Sequence, residues 1–440
     1  MNDKKELKKL FVFDWKILAA VIFLMVAGAI AVYSSTYSPE SGKTSWMFLK
    51  FIFFCATGLV LVFISMFINY TKLAEHRMSL YIPMLGVLVL VLIPGVGTTV
   101  NGSSSWLFGM QPSEFGKIVV IIFLAGYLDQ IGDKIKEIKY FALAGLFISI
   151  PIGLVLLQPD LGTVLVYCFI VFIMLFVGGV PTRYIIALIS IGVVGLSIPM
   201  FLEYKRMSDD IDNILFNFLS QRIYIGYLAG IFLFVSALLL TLNFYMNSKY
   251  VGLLSFTFFV LFLCMGAALT FDIGLKEYQK QRLLVFMNPQ LTRLSSGYNI
   301  IQSLIAVGSG GLFGEGFLNG SQSQLNFIPQ QVNDFIFSNI CEEWGFIGSA
   351  LVVLAYAVIF IRGTMVAYFA KDRLGALIVS GVVAMFLCHV IINIGMVVGM
   401  MPITGLTLPF ISSGGSSIWT FSISIGLIFN VEARRYVHQV

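Results

Sequence analysis

Residues 160–180 read DLGTVLVYCFIVFIMLFVGGV, and after Asp160 no charged side chain occurs in the run. A helix of about 20 apolar residues crosses the hydrocarbon core of a bilayer. The run is therefore predicted to be a membrane span, and residues 17–34 (ILAAVIFLMVAGAIAVYS) repeat the pattern. The whole chain shares this character, with 58% hydrophobic and 11% charged residues in 440. A water-soluble domain carries about 25% charged residues, so lipid is the main solvent. Twelve spans are predicted, near 17–34, 46–68, 79–98, 114–128, 140–158, 160–180, 183–202, 224–246, 250–272, 335–361, 374–400 and 415–431. The first is no cleaved signal peptide, since it lacks a small-residue cleavage site and is one of many such runs.

An even number of spans puts both termini on one side. Of the 27 Lys and Arg residues, seventeen fall on the side shared with the N-terminus, six on the other, and four in one long segment, 273–334. Cytoplasmic loops are the cation-rich ones, so both termini are expected in the cytoplasm. The net charge of +5 then reflects topology and gives no sign of a nucleic-acid partner. The five cysteines lie scattered in apolar stretches without CxxC spacing, which predicts buried thiols instead of disulfides or a metal centre. No Walker loop, GxSxG elbow or HExxH occurs. The glycine run Gly308-Ser309-Gly310-Gly311 lacks the Lys-Ser/Thr ending of a nucleotide loop.

The long segment 273–334 lies on the outer face in this topology. It contains an apolar but glycine-rich piece, 298–314, too short to span and read as re-entrant or interfacial. Irregular backbone survives at membrane depth only inside protein or beside a water-filled cavity. Three more irregular polar segments fall on the same face: 101–117 (NGSSSWLFGMQPSEFGK), Gln158-Pro159-Asp160, and 401–417 (MPITGLTLPFISSGGSS). Together they predict a polar cavity open to the outside.

Ionisable residues within spans are costly and mark functional candidates. Glu114 and Lys117 stand three residues apart, on one helical face; a structural ion pair is the plain alternative. Asp160 fits either a helix cap or a functional carboxylate. Asp334 ends the outer segment directly before Phe335-Ile336-Phe337, where partial desolvation would suit a general base; a helix N-cap is its alternative. Glu342 and Glu343 fit a cavity-facing role, but Gly345 and Gly348 favour helix packing. Arg282 and Lys280 could bind a diphosphate, or, as is preferred for Lys280, an ordinary lipid headgroup.

These stretches, taken in order, resemble the SEDS family typified by RodA, FtsW and SpoVE. The matches are Gln111-Pro112-Ser113-Glu114 with Lys117, Gln158 to Thr163, Tyr278-Gln279 with Arg282, and Gly297-Tyr298 through Gln302-Ser303. They continue with Gly308 to Leu312, Asn333-Asp334-Phe335-Ile336-Phe337, Glu342-Glu343-Trp344-Gly345, Pro402-Ile403-Thr404-Gly405, Leu408 to Ser412 and Gly414 to Ser417. Gly320 to Leu325 resembles the RodA branch. The resemblance implies an all-α polytopic membrane bundle that acts as a peptidoglycan glycosyltransferase in the bacterial cytoplasmic membrane. It would polymerise lipid II on the outer face during cell elongation, inverting the donor and releasing undecaprenyl diphosphate. It also implies a class B penicillin-binding protein and elongation-complex proteins as partners, with membrane lipids around them. The family's catalytic aspartate corresponds to Asp334, and Glu114, Lys117, Asp160, Arg282 and Ser416 to substrate-binding positions. No metal ligand is implied, although a divalent cation such as magnesium or manganese is compatible with diphosphate chemistry. A lipid II flippase and a non-catalytic scaffold are the competing readings; the lack of a convincing internal repeat argues against the flippase.

The chain also departs from the family pattern. Val332-Asn333 replaces the usual His-Thr before the catalytic position, Ser103-Ser104-Ser105 replaces an arginine-bearing motif, Thr407 replaces a common proline and Ser413 a common tyrosine. Most members have ten spans, and residues 204–272 read as an inserted pair within a single integral membrane domain covering 1–440.

Overall fold

A computed structural model describes residues 13–38, 43–100, 103–107, 109–207, 219, 221–274, 285, 296–325 and 327–437. Each of the twelve stretches expected to span contains a helix, although the helix in 79–98 already stops at Leu92. In chain order the helices are α1 Trp15–Thr36, α2 Trp46–Phe67, the short α3 Tyr70–Glu75, α4 Arg77–Leu92, α5 Pro112–Ile131, α6 Ile138–Leu157, α7 Leu161–Val177 and α8 Thr182–Met207. They continue as α9 Arg222–Met246, α10 Lys249–Gly274, α11 Ser296–Ser309, α12 Ser321–Gln324, α13 Ile336–Tyr368, α14 Arg373–Val397 and α15 Gly415–Val437. Among the described residues nine helices are long and apolar enough to cross a membrane, and α4 and α7 are shorter apolar helices. Among the described residues two short antiparallel ladders, Tyr37–Ser38 with Lys43–Thr44 and Thr98–Val100 with Ser103–Trp106, accompany the helices. The five cysteines are free thiols, four of them buried.

The chain forms two compact units, Met1–Val180 with Asn299–Val440, and Pro181–Tyr298. In the first unit α5 and α14 are each 67% buried over their apolar windows, and α15 is buried along nearly all of Ser416–Ala433. α14 packs on α13, α7 and α5, while α15 packs along α2 and α13 along α1. Asp14 fixes one end of this bundle: it caps α1 through Lys16 N (3.0 Å), pairs with Arg362 near the end of α13, and its N–H donates to Glu432 of α15 (2.8 Å). At the opposite end Ser34 and Ser35, closing α1, meet Glu343 and Asn339 in the first turns of α13. The starts of α5, α7 and α15 and the finish of α14 belong to that second end, where the polar contacts of the candidate site join them.

α13 is broken where its sequence reads as one apolar run. Gly345 sits at φ 64°, ψ −162°, a backbone state open to glycine and costly for other residues. The groups freed by the break are satisfied by the segment after α11. The Glu342 and Glu343 carbonyls accept from the N–H groups of Glu315 (2.9 Å) and Gly316 (3.1 Å), and Phe346 and Ile347 donate to the Gly311 (2.9 Å) and Leu312 (3.2 Å) carbonyls. Buried backbone polar groups must be paired, so the glycine-rich piece and the break form one structure. A Cβ on Gly314 would lie 2.1 Å from the Glu343 oxygen. The helix-packing role expected for Gly345 is thus corrected: it is a break point.

The second unit packs α10 on α9 and on α8. Ser236 and Ser255 interlock α9 and α10, each hydroxyl donating to the other's carbonyl at 2.9 and 2.8 Å. Arg222 pairs with Asp272 at 2.7 Å across the ends of the same two helices.

Candidate active site

Residues 401–414, between α14 and α15, run as an irregular strap across the second end of the first bundle. Two polar residues one turn apart on α14 hold it. Asn393 donates to the carbonyls of Leu406 (2.7 Å) and Asp334 (3.0 Å), tying the strap to the turn before α13. His389 reaches the Thr407 carbonyl through Nδ1 at 3.0 Å. Its Nε2 lies 2.8 Å from Lys117 Nζ. An ammonium only donates, so Nε2 accepts, the proton sits on Nδ1, and the ring is neutral.

Lys117 has no exposed surface, and its ammonium is 2.7 Å from Glu114 Oε1 in a nearly buried ion pair. The pairing expected from the i, i+3 spacing is present, with His389 as a third member that sequence reasoning missed. The other Glu114 oxygen is buried without a partner. Asp160 caps α7, its Oδ1 accepting from Thr163 N at 3.0 Å and its Oδ2 from Thr163 Oγ1 at 2.8 Å. Oδ2 also accepts from Gln111 Nε2 at 2.7 Å, while Gln111 N donates to Ser416 Oγ at 3.0 Å. Asp160, Gln111 and Ser416 therefore link the N-termini of α7, α5 and α15. A Cβ on Gly162 would stand 2.5 Å from the Thr404 oxygen, so the start of α7 abuts the strap.

Asp334 is half-buried, beside the buried Phe335, Ile336 and Phe337. Its carboxylate faces Gly405 of the strap: a Cβ there would lie 3.6 Å from Oδ2. α13 takes Phe335 as its N-cap, so Asp334 stands one residue outside the capping position that was its alternative. Its neighbour Asn333 is clamped by serines, with Ser412 Oγ donating to its carbonyl at 2.6 Å and Ser413 Oγ to its side-chain oxygen. Asn333 and Ser413 are two of the departures from the family pattern, and here they bond to each other.

Glu343 accepts from Ser34, and Glu342 accepts from Gln322 N (2.7 Å) and Ser323 N (3.0 Å). Glu342 thus serves the start of α12, and Glu343 ties α13 to the end of α1. Arg282 and Lys280 lie outside the described residues. Among those residues no group of three or more His, Cys, Asp or Glu side chains is placed to hold a metal ion. The structure places Glu114, Lys117, Asp160, Ser416 and Asp334 at one end of the bundle: Asp334 against the strap, Lys117 and Glu114 joined to it through His389, and Asp160 and Ser416 joined to each other through Gln111.

A multi-helix membrane protein whose polar groups gather beneath one irregular strap is the class that the fold and site define. A sequence model of the FtsW, RodA and SpoVE family, described as a cell cycle protein, matches residues 14–209 and 214–437. The peptidoglycan glycosyltransferase RodA of Treponema pallidum is 36% identical over 434 residues, covering 96% of this chain and 98% of that protein. Stage V sporulation protein E of Bacillus subtilis is 31% identical over 95% of this chain and 96% of its own. A chain from a structure of a peptidoglycan synthase complex that coordinates polymerization and crosslinking superposes with a TM-score of 0.67 at 26% identity, covering 97% of this chain and 99% of that one. The rod shape determining protein RodA of Thermus thermophilus shares the fold, with a TM-score of 0.59 at 24% identity over 97% of this chain and 98% of that one. The chain belongs to the FtsW/RodA/SpoVE family and is a glycosyltransferase.

Proposed function

We propose that this enzyme polymerises lipid II into β-1,4 glycan on the outer face of the cytoplasmic membrane, as the elongation polymerase. The observation that carries the reading is the Asp334 carboxylate, half-buried against the Gly405 strap at the end of the bundle where α5, α7 and α15 begin. The 4-hydroxyl of an acceptor GlcNAc would give its proton to Asp334 as its oxygen attacks the anomeric carbon of the donor MurNAc. The new C–O bond forms as the bond to the diphosphate breaks, with inversion, and undecaprenyl diphosphate departs. A positioned base contributes on the order of 100- to 10,000-fold.

Charge builds on the departing diphosphate. Helix N-termini favour anions, and three of them converge here. Lys117 beneath the strap and Arg282 in the outer segment would add positive charge, with Glu114 holding Lys117 in place. Asp160 and Ser416 would fix the rim through Gln111. Of the relatives, the Treponema protein carries the name peptidoglycan glycosyltransferase, and Gly320 to Leu325 supports the elongation branch. A class B penicillin-binding protein is the proposed partner.

The test is lipid II polymerisation by the purified protein with that partner, wild type beside Asp334→Asn, with products resolved by glycan length. Long glycans from wild type alone support the reading. Substantial glycan from the variant removes Asp334 as base, and none from an intact wild-type complex moves a flippase role ahead.

A further inference from the structure

The arrangement under the strap contains a group that the proposed chemistry does not use. Lys117 is fully enclosed, and a buried ammonium needs acceptors for its protons. Glu114 supplies one at 2.7 Å and His389 Nε2 a second at 2.8 Å. The imidazole is itself fully buried, and it stands edge-on to Phe421, with ring centroids 4.9 Å apart and planes at 88°. Its far nitrogen holds the Thr407 carbonyl at 3.0 Å, two residues along the strap from Gly405. The Thr407 hydroxyl pairs with Ser417 at 2.6 Å, next to the Ser416 that meets Gln111.

We infer that His389 is a positioning residue, whose neutral imidazole transmits the buried Glu114–Lys117 pair to the strap and so sets the place of the Gly405 backbone against the Asp334 carboxylate. The geometry requires both ring nitrogens. Nε2 takes its orientation from Lys117, which fixes the tautomer. Nδ1–H then pins the strap at Thr407. Asn393, one turn further along α14, pins the adjacent Leu406 carbonyl and the Asp334 carbonyl together. Two neighbouring strap carbonyls are thus anchored to one rigid helix, the arrangement that holds a reacting group in register.

This inference rests on the polymerase reading, and its test separates the two. Lipid II polymerisation is measured with the partner complex for wild type, Asp334→Asn, His389→Ala, His389→Asn and His389→Gln, with kcat and KM resolved and integrity followed by size-exclusion and melting. Asparagine places an amide donor where Nδ1 stands, and glutamine places an acceptor where Nε2 stands. A misplacement of about 1 Å costs on the order of 100-fold in rate. His389→Ala is therefore expected to lose turnover by about that factor, with KM changed less than about twofold. His389→Asn, keeping the bond to Thr407, should recover much of the loss, and His389→Gln less. Unchanged turnover in His389→Ala, a rise in KM at constant kcat, or equal losses in all three variants overturns the inference. Absence of glycan from wild type fails the polymerase reading instead.

Discussion

At the scale of single residues, a lysine with no exposed surface must be held by what surrounds it. Removing one member of a buried ion pair leaves the other charged and unpaired, at a cost of roughly 3–5 kcal/mol, whereas replacing both is often nearly neutral. Lys117→Met should therefore destabilise the protein by about that amount, and Glu114→Gln with Lys117→Met should recover most of it, read by unfolding in detergent. A double variant no more stable than the single one would mean that the pair is not what holds these helices. The Asn333–Ser413 contact makes a second prediction. Residues in direct contact couple by about 0.5–3 kcal/mol, so Asn333→Ala and Ser413→Ala should be non-additive in kcat/KM by a similar amount. Additive effects would show that the two departures from the family pattern are independent. Glu114 with Lys117 was legible in the sequence because their spacing alone puts them on one helical face. His389 was not, although His389 and Asn393, four apart in an apolar helix, carried the signal. What selects His389 is Thr407, eighteen positions on, and no periodicity reports that contact.

At the scale of elements, all the long helices were legible, because apolar runs bounded by Asp, Ser, Asn and Pro state where they begin. Asp14, Ser45, Asn69, Asp160 and Asp372 all cap a helix through their side chains. The break in α13 was hidden, since its cause is tertiary: the freed backbone groups find partners some thirty residues upstream. The sequence shows only that Gly310, Gly311, Gly314 and Gly316 cluster. A loop glycine and a helical glycine should respond in opposite ways if the loop supports the break. Gly314 has φ 82° and no room for a Cβ, whereas a Cβ on Gly308 meets nothing within 4 Å. Gly314→Ala is expected to destabilise by about 1–3 kcal/mol. Gly308→Ala, inside α11, should stabilise slightly, by at most about 1 kcal/mol. Melting of both variants in one detergent checks the pair, and equal effects would deny the loop that role.

At the scale of the whole molecule, sidedness depends on the number of helices crossed. The second unit contributes α9 and α10, of 25 and 26 residues, each long and apolar enough to cross a membrane. They occupy the stretch read as an insertion, and their interlocked Ser236 and Ser255 bury the hydroxyls against each other, as polar groups in lipid require. A pair of spans can be added to a bundle without inverting the helices C-terminal to it, whereas a single one cannot. Removing residues 208–274 should therefore leave the C-terminus on its original side, and removing 249–274 alone should move it across. A C-terminal reporter that fluoresces only in the cytoplasm reads both outcomes. With cations concentrated on the N-terminal side, the intact chain and the larger deletion are expected to fluoresce and the smaller deletion to be dark. Fluorescence from the smaller deletion would mean that α10 does not span, whereas a dark intact chain would put the strap, one helix away from the C-terminus, on the side opposite to the one proposed for lipid II. Sidedness and chemistry thus stand together, because an acceptor sugar can reach Asp334 only from the compartment onto which the strap opens.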